Sequence, residues 1–211
     1  MDAFPMFPLG AVLLPGEPLS LQVFEPRYLT MVDECTSSPD RMRFGVVLIS
    51  RGHEVGGGDE RTDVGTVARI VSARPVAGGR VLLECRGAGR IRILDWLADD
   101  PYPRARVRDW PDEPGAVGDG VLDAVTDRVT SLGEVLGALA GRVGRPAPVL
   151  PMLADLPGDA GEQTYALAAR LPLGAADRRR VLSAPGPGER LEALAEALDD
   201  VLAAARFRLA Q

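Results

Sequence analysis

The sequence has no lysine and no asparagine, and all 24 of its basic residues are arginine. It contains one histidine, His53, and two cysteines, Cys35 and Cys85, which lie far apart along the chain. Metal sites in proteins need ligands grouped at short spacing, so we expect neither a metal nor another cofactor. The two cysteines are predicted to be reduced core residues of a cytosolic protein.

Long apolar runs are also missing. None approaches the ~20 residues that a membrane-spanning helix requires, and the N-terminus lacks the basic segment and apolar stretch of a secretory signal. The composition, with 46% hydrophobic and 26% charged residues, is that of an ordinary globular protein. We therefore expect a cytoplasmic protein with no membrane partner. The exclusive use of arginine indicates GC-rich coding and, from that, a bacterial source.

A strand, a sharp junction and a helix are indicated between residues 19 and 36. Leu19, Leu21 and Val23 alternate with polar residues, which is the period-2 pattern of a half-buried strand. Pro26 then fixes a backbone angle that suits a first helical turn. The residues of this structural junction are Phe24, Glu25, Pro26 and Arg27. Its two charged residues are predicted to pair and to fix the junction rather than to do chemistry.

The block from Phe24 to Tyr28 also carries a family resemblance. The ordered blocks around it are Phe4 to Gly10, Leu13 to Pro18, Phe44 to Leu48, Val64 to Ile70 and Gly87 to Ile93. In this order the chain resembles the N-terminal substrate-binding domain of the Lon ATP-dependent protease, in its small free-standing version. The resemblance runs from about residue 4 to about residue 110. It implies a PUA-like pseudo-barrel and a role in binding proteins.

The missing lysine bears on catalysis. The full-length protease of this family uses a Ser/Lys dyad for peptide hydrolysis and a Gly-x-x-x-x-Gly-Lys-Ser/Thr loop for ATP, and both need a lysine. Neither can form within this chain. No paired carboxylates and no nucleophile with its base stand at a convincing spacing, so we expect a chain that is not an enzyme.

We predict an α+β chain of two domains, a β-barrel domain with one short helix (1–114) and an α-helical domain (115–211). Within the barrel we expect strands at Arg43 to Ile49, Val64 to Arg74, Val81 to Cys85 and Arg90 to Leu97. A loop is predicted from Arg51 to Asp63, built around Gly56-Gly57-Gly58. We interpret it as a hairpin connection, since no helix with a lysine follows to form a phosphate loop.

The helical domain begins after a turn-rich segment, Pro111 to Gly115. Apolar residues then recur every three or four positions from about Asp119 to Arg142, which predicts a helix of roughly six turns. Gly133, Gly137 and Gly141 form a four-residue ladder on this helix. We expect the ladder to allow close packing of a neighbouring element, because each glycine costs about 1 kcal/mol relative to alanine.

Two sets of arginines alternate with apolar residues near the end of the barrel. The first set is Arg90 and Arg92, and the second is Arg104, Arg106 and Arg108. If their strands were neighbours they would form a basic patch, and some PUA-like folds bind RNA. The alternative is solvated strand faces paired with nearby aspartates, and the net charge of −6 opposes long-range attraction of phosphate. Nucleic acid is therefore the less favoured partner.

Three functions remain open. The leading hypothesis is a binding module with a shallow apolar cleft for exposed or unfolded polypeptide segments. Its candidate lining residues are Leu13, Leu14, Tyr28, Trp96 and Trp110. The second is an adaptor that docks onto a protease or another protein through its helical domain. The third is RNA binding by the PUA-like barrel.

Overall fold

The computed structural model describes residues 3–51, 60–115 and 117–211. Contacts within the chain divide it into two compact units, residues 1–111 and 112–211. The first unit is β-rich and the second is helical, so the predicted α+β class is confirmed. The division into domains 1–114 and 115–211 stays a prediction, as does the PUA-like description. His53 and Gly56-Gly57-Gly58 lie outside the described residues.

The described residues of the first unit form six strands and one α-helix. They are β1 (Phe4–Leu9), β2 (Pro18–Val23), α1 (Pro26–Thr36), β3 (Arg43–Arg51), β4 (Glu60–Val76), β5 (Arg80–Trp96) and β6 (Arg104–Asp109). The strand order is β2-β5-β4-β3-β1-β6, and β6 also pairs with β5. Five strands therefore close into a ring, and β2 extends the sheet from the first half of β5.

Strand β5 is longer than the sequence predicted. Two strands were expected, Val81 to Cys85 and Arg90 to Leu97, yet a single strand runs from Arg80 to Trp96. Gly87 lies where the chain around Leu14 crosses β5, and a Cβ at Gly87 would collide with the carbonyl oxygen of Leu14. The glycine thus marks a close approach of two backbones rather than a turn. Strand β4 also begins earlier than expected, at Glu60.

Two buried apolar clusters fill the first unit. The larger one joins α1 to the sheet, with Tyr28 stacked on Phe7 at 4.0 Å between ring centroids and Phe44 beside them. The smaller cluster contains Met6, Val47, Ile91 and Ala105. Because successive strand residues point to opposite faces, Met6 and Phe7 of β1 enter different clusters.

Four α-helices are described in the second unit. They are α2 (Asp119–Arg142), α3 (Ala160–Arg170), α4 (Ala175–Ser183) and α5 (Pro187–Ala210). The bounds predicted for α2 are those observed. The buried leucines of α5 lie on one stripe of that helix and face the other helices, as an amphipathic pattern requires. The fully buried leucines of this unit are Leu132, Leu167, Leu191, Leu194 and Leu198.

The glycine ladder of α2 packs less closely than expected. A Cβ at Gly133 or Gly141 would meet nothing within 4 Å, and one at Gly137 would only touch the Cβ of Ala147 at 3.4 Å. The expectation of close packing along the ladder was therefore wrong. The four-residue spacing placed the three glycines on one side of the helix. It could not show whether another element packs closely against that side.

Candidate functional site

The junction before α1 is built from local contacts. Helix α1 begins at Pro26, and the backbone N–H groups of Tyr28 and Leu29 donate to the Glu25 carbonyl at 3.0 and 2.9 Å. The Glu25 side chain accepts from Nε of Arg27 at 3.1 Å, while the Arg27 guanidinium lies 4.6 Å from the centre of the Tyr28 ring. The two charges thus pair with each other and hold the helix start.

Phe24 is the large apolar residue of the junction, and it is 58% exposed. It follows Val23, the last residue of β2, whose cross-strand partner is Val81. Val76, at the end of β4, is 37% exposed and pairs with Arg80. Phe24 and Val76 therefore flank the start of β5 at the same end of the sheet. We call this region the apolar sheet end: Leu21, Phe24, Val76 and Val81.

Strand β2 is an edge strand. It pairs with β5 along one side, and its other side pairs with no strand in the part of the chain that the structure describes. Backbone groups on the unpaired side of an edge strand can pair with an added strand, which is how many domains bind extended peptides. Leu19 and Leu21 of β2 are half-buried on the core face, and Phe24 stands at its C-terminal end.

The structure places most of the predicted lining residues in the interior. Leu13, Leu14, Tyr28 and Trp110 are buried, with Leu14 fully so. Trp96 is half-buried against the smaller cluster, and the Arg61 guanidinium covers its ring at 4.6 Å. These five residues do not form one open apolar surface within the first unit. As placed, they stabilise the barrel, and the binding role assigned to them stays a prediction.

The two arginine sets near Trp110 do lie on neighbouring strands. Arg92 of β5 is the cross-strand partner of Arg108 of β6, and Arg90 and Arg92 both stack on the Trp110 ring at 4.1 and 4.0 Å. The neighbouring arginines carry ion pairs. These are Arg106 with Asp95 at 3.2 Å and Arg104 with Asp100 at 3.5 Å. Two of the five arginines are therefore paired with aspartates, as the alternative interpretation predicted, whereas Arg90 is buried against Trp110 rather than on a solvated face.

Neither cysteine is activated for chemistry. Both thiols are buried and unpaired in the larger cluster. Burial, and then the nearby Glu34, raises the pKa of Cys35 to about 11, and burial with Glu84 raises the pKa of Cys85 to about 12. A thiol with so high a pKa is protonated at neutral pH and is a poor nucleophile.

Among residues 3–51, 60–115 and 117–211, no group of three or more His, Cys, Asp or Glu side chains is arranged to hold a metal ion. Within the same ranges, no helix combines the length and apolarity needed to cross a membrane.

Comparison with known proteins identifies the family. Residues 3–200 match the family model described as the ATP-dependent protease La (LON) substrate-binding domain. The chain belongs to this family. The LON substrate-binding domain match thus extends through both units, beyond the residues that carried the resemblance in the sequence.

Solved structures agree with this membership. The chain is 30% identical to a Lon N-terminal domain protein from Xanthomonas campestris, with a TM-score of 0.64, over 92% of this chain and 97% of that one. The N-terminal domain of a Mycobacterium avium complex Lon protease has the same fold, with a TM-score of 0.61 and 18% identity over 94% of this chain and 99% of that one.

Curated relatives of this LON substrate-binding domain are much longer proteins. A LON peptidase N-terminal domain and RING finger protein from Schizosaccharomyces pombe is 29% identical over 52% of this chain and 24% of its own length. The Lon protease of Heliobacterium modesticaldum is 25% identical over 94% of this chain and 24% of its own length. The chain therefore spans about a quarter of these relatives.

Proposed function

We propose that this LON substrate-binding domain binds exposed apolar segments of polypeptides in extended form, without catalysing a reaction on them. The observation that carries the proposal is the free edge of β2, which ends at the exposed ring of Phe24. The family description, a substrate-binding domain of an ATP-dependent protease, supports a polypeptide ligand.

The chemistry of the edge suits an extended chain. An added strand gains main-chain hydrogen bonds that do not depend on its sequence, and side-chain contacts then select the residues. At the apolar sheet end, Phe24 and Val76 offer exposed apolar surface to such a strand. Each client side chain buried there contributes about 1.5–3 kcal/mol before the cost of ordering the chain. Recognition would be weakly sequence-selective.

The proposal includes the absence of catalysis and a reducing compartment. Both thiols are protonated and buried, and the lysine that the protease dyad of the family needs is absent from this chain. Unpaired cysteines are typical of proteins in reducing compartments, which supports the cytoplasm. An adaptor role through the second unit stays a prediction. RNA binding gains no support from the relatives, whose names concern proteases and substrate binding.

The test is fluorescence anisotropy of a labelled, unfolded and uncharged polypeptide titrated with the protein, beside a labelled RNA. We expect the polypeptide to bind with an affinity that is nearly independent of salt, because apolar contacts are not screened. RNA binding would instead weaken steeply with salt. No binding of the polypeptide at any salt concentration would contradict the proposal.

A further inference from the structure

Three arginines form a row across three neighbouring strands. Arg43 of β3 is the cross-strand partner of Arg69 of β4, and Arg69 is also the partner of Arg86 of β5. Cross-strand partners point to the same face of a sheet, and adjacent strands lie about 4.8 Å apart. The three Cα positions therefore span about 10 Å on one face. All three side chains are exposed.

The same face carries two further arginines. Arg80 lies on β5 an even number of residues from Arg86, and Arg74 pairs with Leu82, which also has that parity. The opposite face of β5, with Leu83 and Cys85, packs into the larger cluster. We define the arginine face by its five exposed members: Arg43, Arg69, Arg74, Arg80 and Arg86.

The arginine face has almost no internal compensation. Among the described residues of this face, Glu84 is the one carboxylate, and it accepts a hydrogen bond from the Ser20 hydroxyl at 2.5 Å. No carboxylate in the described part of the chain lies within 4.0 Å of any of the five guanidinium groups. By contrast, Arg61 and Arg106 of the same unit both have aspartate partners, at 3.3 and 3.2 Å.

This arrangement costs stability in the free protein. Like charges directly opposite each other on a sheet repel, and the row from Arg43 to Arg86 places three together in a chain of net charge −6. The other contacts of these side chains are slight: Arg86 donates to the Gly16 carbonyl at 2.8 Å, and Arg43 lies 5.8 Å from the Phe4 ring centre. A bound anion would relieve the repulsion.

We propose that the arginine face binds acidic residues of the polypeptide that the domain captures, so that acidic segments next to apolar ones are preferred. This inference rests on the proposed function. Four of the five arginines lie on β4 and β5, which also form part of the apolar sheet end, so one extended client can reach both. Alternate residues of an extended chain lie about 6.6 Å apart on one side, and long arginine side chains on strands about 4.8 Å apart can reach such residues.

Carboxylates fit this face better than RNA does. RNA bound as a single strand needs aromatic side chains on which its bases stack. The described positions between the arginines offer Val71, Val76 and Leu82, and the Phe4 ring beside Arg43 is packed against the smaller cluster. The exposed Val71, which bulges from β4 two residues after Arg69, adds an apolar contact to the basic row.

The test compares three labelled peptides that share one apolar core and differ in their flanks, which are glutamate-rich, serine-rich or arginine-rich. We expect the glutamate-flanked peptide to bind the wild-type protein about tenfold tighter than the serine-flanked one at low salt. High salt should abolish this difference because exposed charges are screened. The arginine-flanked peptide should bind most weakly.

The decisive variant is Arg43→Gln/Arg69→Gln/Arg86→Gln, with Arg142→Gln/Arg145→Gln/Arg208→Gln as a control of equal charge change at exposed positions of the second unit. The first variant should lose the preference for glutamate flanks and keep its affinity for the serine-flanked peptide, and the control should keep both. Thermal melting checks that both fold. The inference would be overturned if the preference for glutamate flanks survived in the first variant or fell equally in the control. It would also be overturned by an RNA that binds the row more tightly than the glutamate-flanked peptide.

The outcome for the serine-flanked peptide separates the two proposals. If it does not bind the wild-type protein, the apolar proposal fails, whereas loss of glutamate-flanked binding in the first variant would still support the arginine face.

Discussion

Arg190, whose side chain is fully buried, forms an ion pair with Asp112 in which Nη2 lies 2.5 Å from Oδ1. The same guanidinium donates to the Tyr165 hydroxyl at 2.6 Å and to Thr164 Oγ1 at 2.8 Å. A buried charge is stable only when such partners satisfy it. Asp112 is therefore a structural part of the helical unit, although it lies before the boundary that the sequence indicated.

Substitution of Asp112 tests this relationship. We expect Asp112→Asn to lower the free energy of unfolding by about 2 kcal/mol, because it leaves the buried Arg190 charge without its counter-ion. The measurement is urea denaturation. The control is Asp199→Asn, which removes the exposed ion pair with Arg128 and should cost less than about 1 kcal/mol. Equal losses in the two variants would contradict the assigned role of Asp112.

The boundary can be tested with fragments. A fragment of residues 112–211 retains the Asp112 carboxylate beside Arg190. A fragment of residues 115–211 lacks this carboxylate and leaves the Arg190 guanidinium without its counter-ion. We expect the longer fragment to be more resistant to urea. Equal resistance of the two fragments would favour the boundary predicted from the sequence.

Two glycines of α2 are predicted to limit stability. Since no atom lies within 4 Å of a Cβ at Gly133, Gly133→Ala should raise the free energy of unfolding by up to about 1 kcal/mol through helix propensity. Gly141→Ala should gain less because it lies in the last turn of the helix. Gly87 on strand β5 is the opposite case. Gly87→Ala should lower the free energy of unfolding, because the added Cβ would collide with the Leu14 carbonyl. Destabilisation by Gly133→Ala in a thermal melt would show that this face of α2 is covered.

Alkaline pH should destabilise the first unit. Burial raises the pKa of Cys35 to about 11 and that of Cys85 to about 12, whereas an unfolded thiol ionises near pH 8.5. The folded state therefore binds more protons above pH ~9, and stability present below that value is lost as pH rises. Burial and the hydrogen bond to Glu34 also raise the pKa of Tyr102, which acts in the same direction.

The measurement for this prediction is urea denaturation at about pH 8 and about pH 10. We expect the loss between these values to be smaller in Cys35→Ala/Cys85→Ala than in the wild-type protein, even though the variant starts from a lower stability. The native thiols should also react slowly with alkylating reagents at neutral pH. A wild-type protein whose stability does not change between the two pH values would contradict the burial of these groups.

Local patterns predicted the parts of the fold that depend on neighbouring residues. The alternation of Leu19, Leu21 and Val23 predicted β2, and Pro26 predicted the start of α1. The heptad-like spacing of α2 gave its observed bounds. In each case the period of the apolar residues and the flanking proline or glycine carry the information within a single segment.

Contacts between distant segments could not be predicted in this way. The Thr66 hydroxyl donates to the Leu13 carbonyl at 2.6 Å, and this fixes a segment that the sequence suggested was open to a ligand. Two strands were expected on either side of Gly87 because the chain that crosses β5 at Leu14 cannot be seen in the local sequence. The row of Arg43, Arg69 and Arg86 required the register of three strands.

If polypeptides bind at the end of β2, as proposed, Phe24→Ser should weaken their binding. The control is Phe207→Ser, because Phe207 is 67% exposed on α5 and Phe24 is 58% exposed. The measurement is the anisotropy titration of an unfolded, uncharged polypeptide against the wild-type protein and both variants. We predict that Phe24→Ser weakens binding about tenfold and Phe207→Ser leaves it unchanged. Equal affinities of Phe24→Ser and the wild-type protein would contradict the claim.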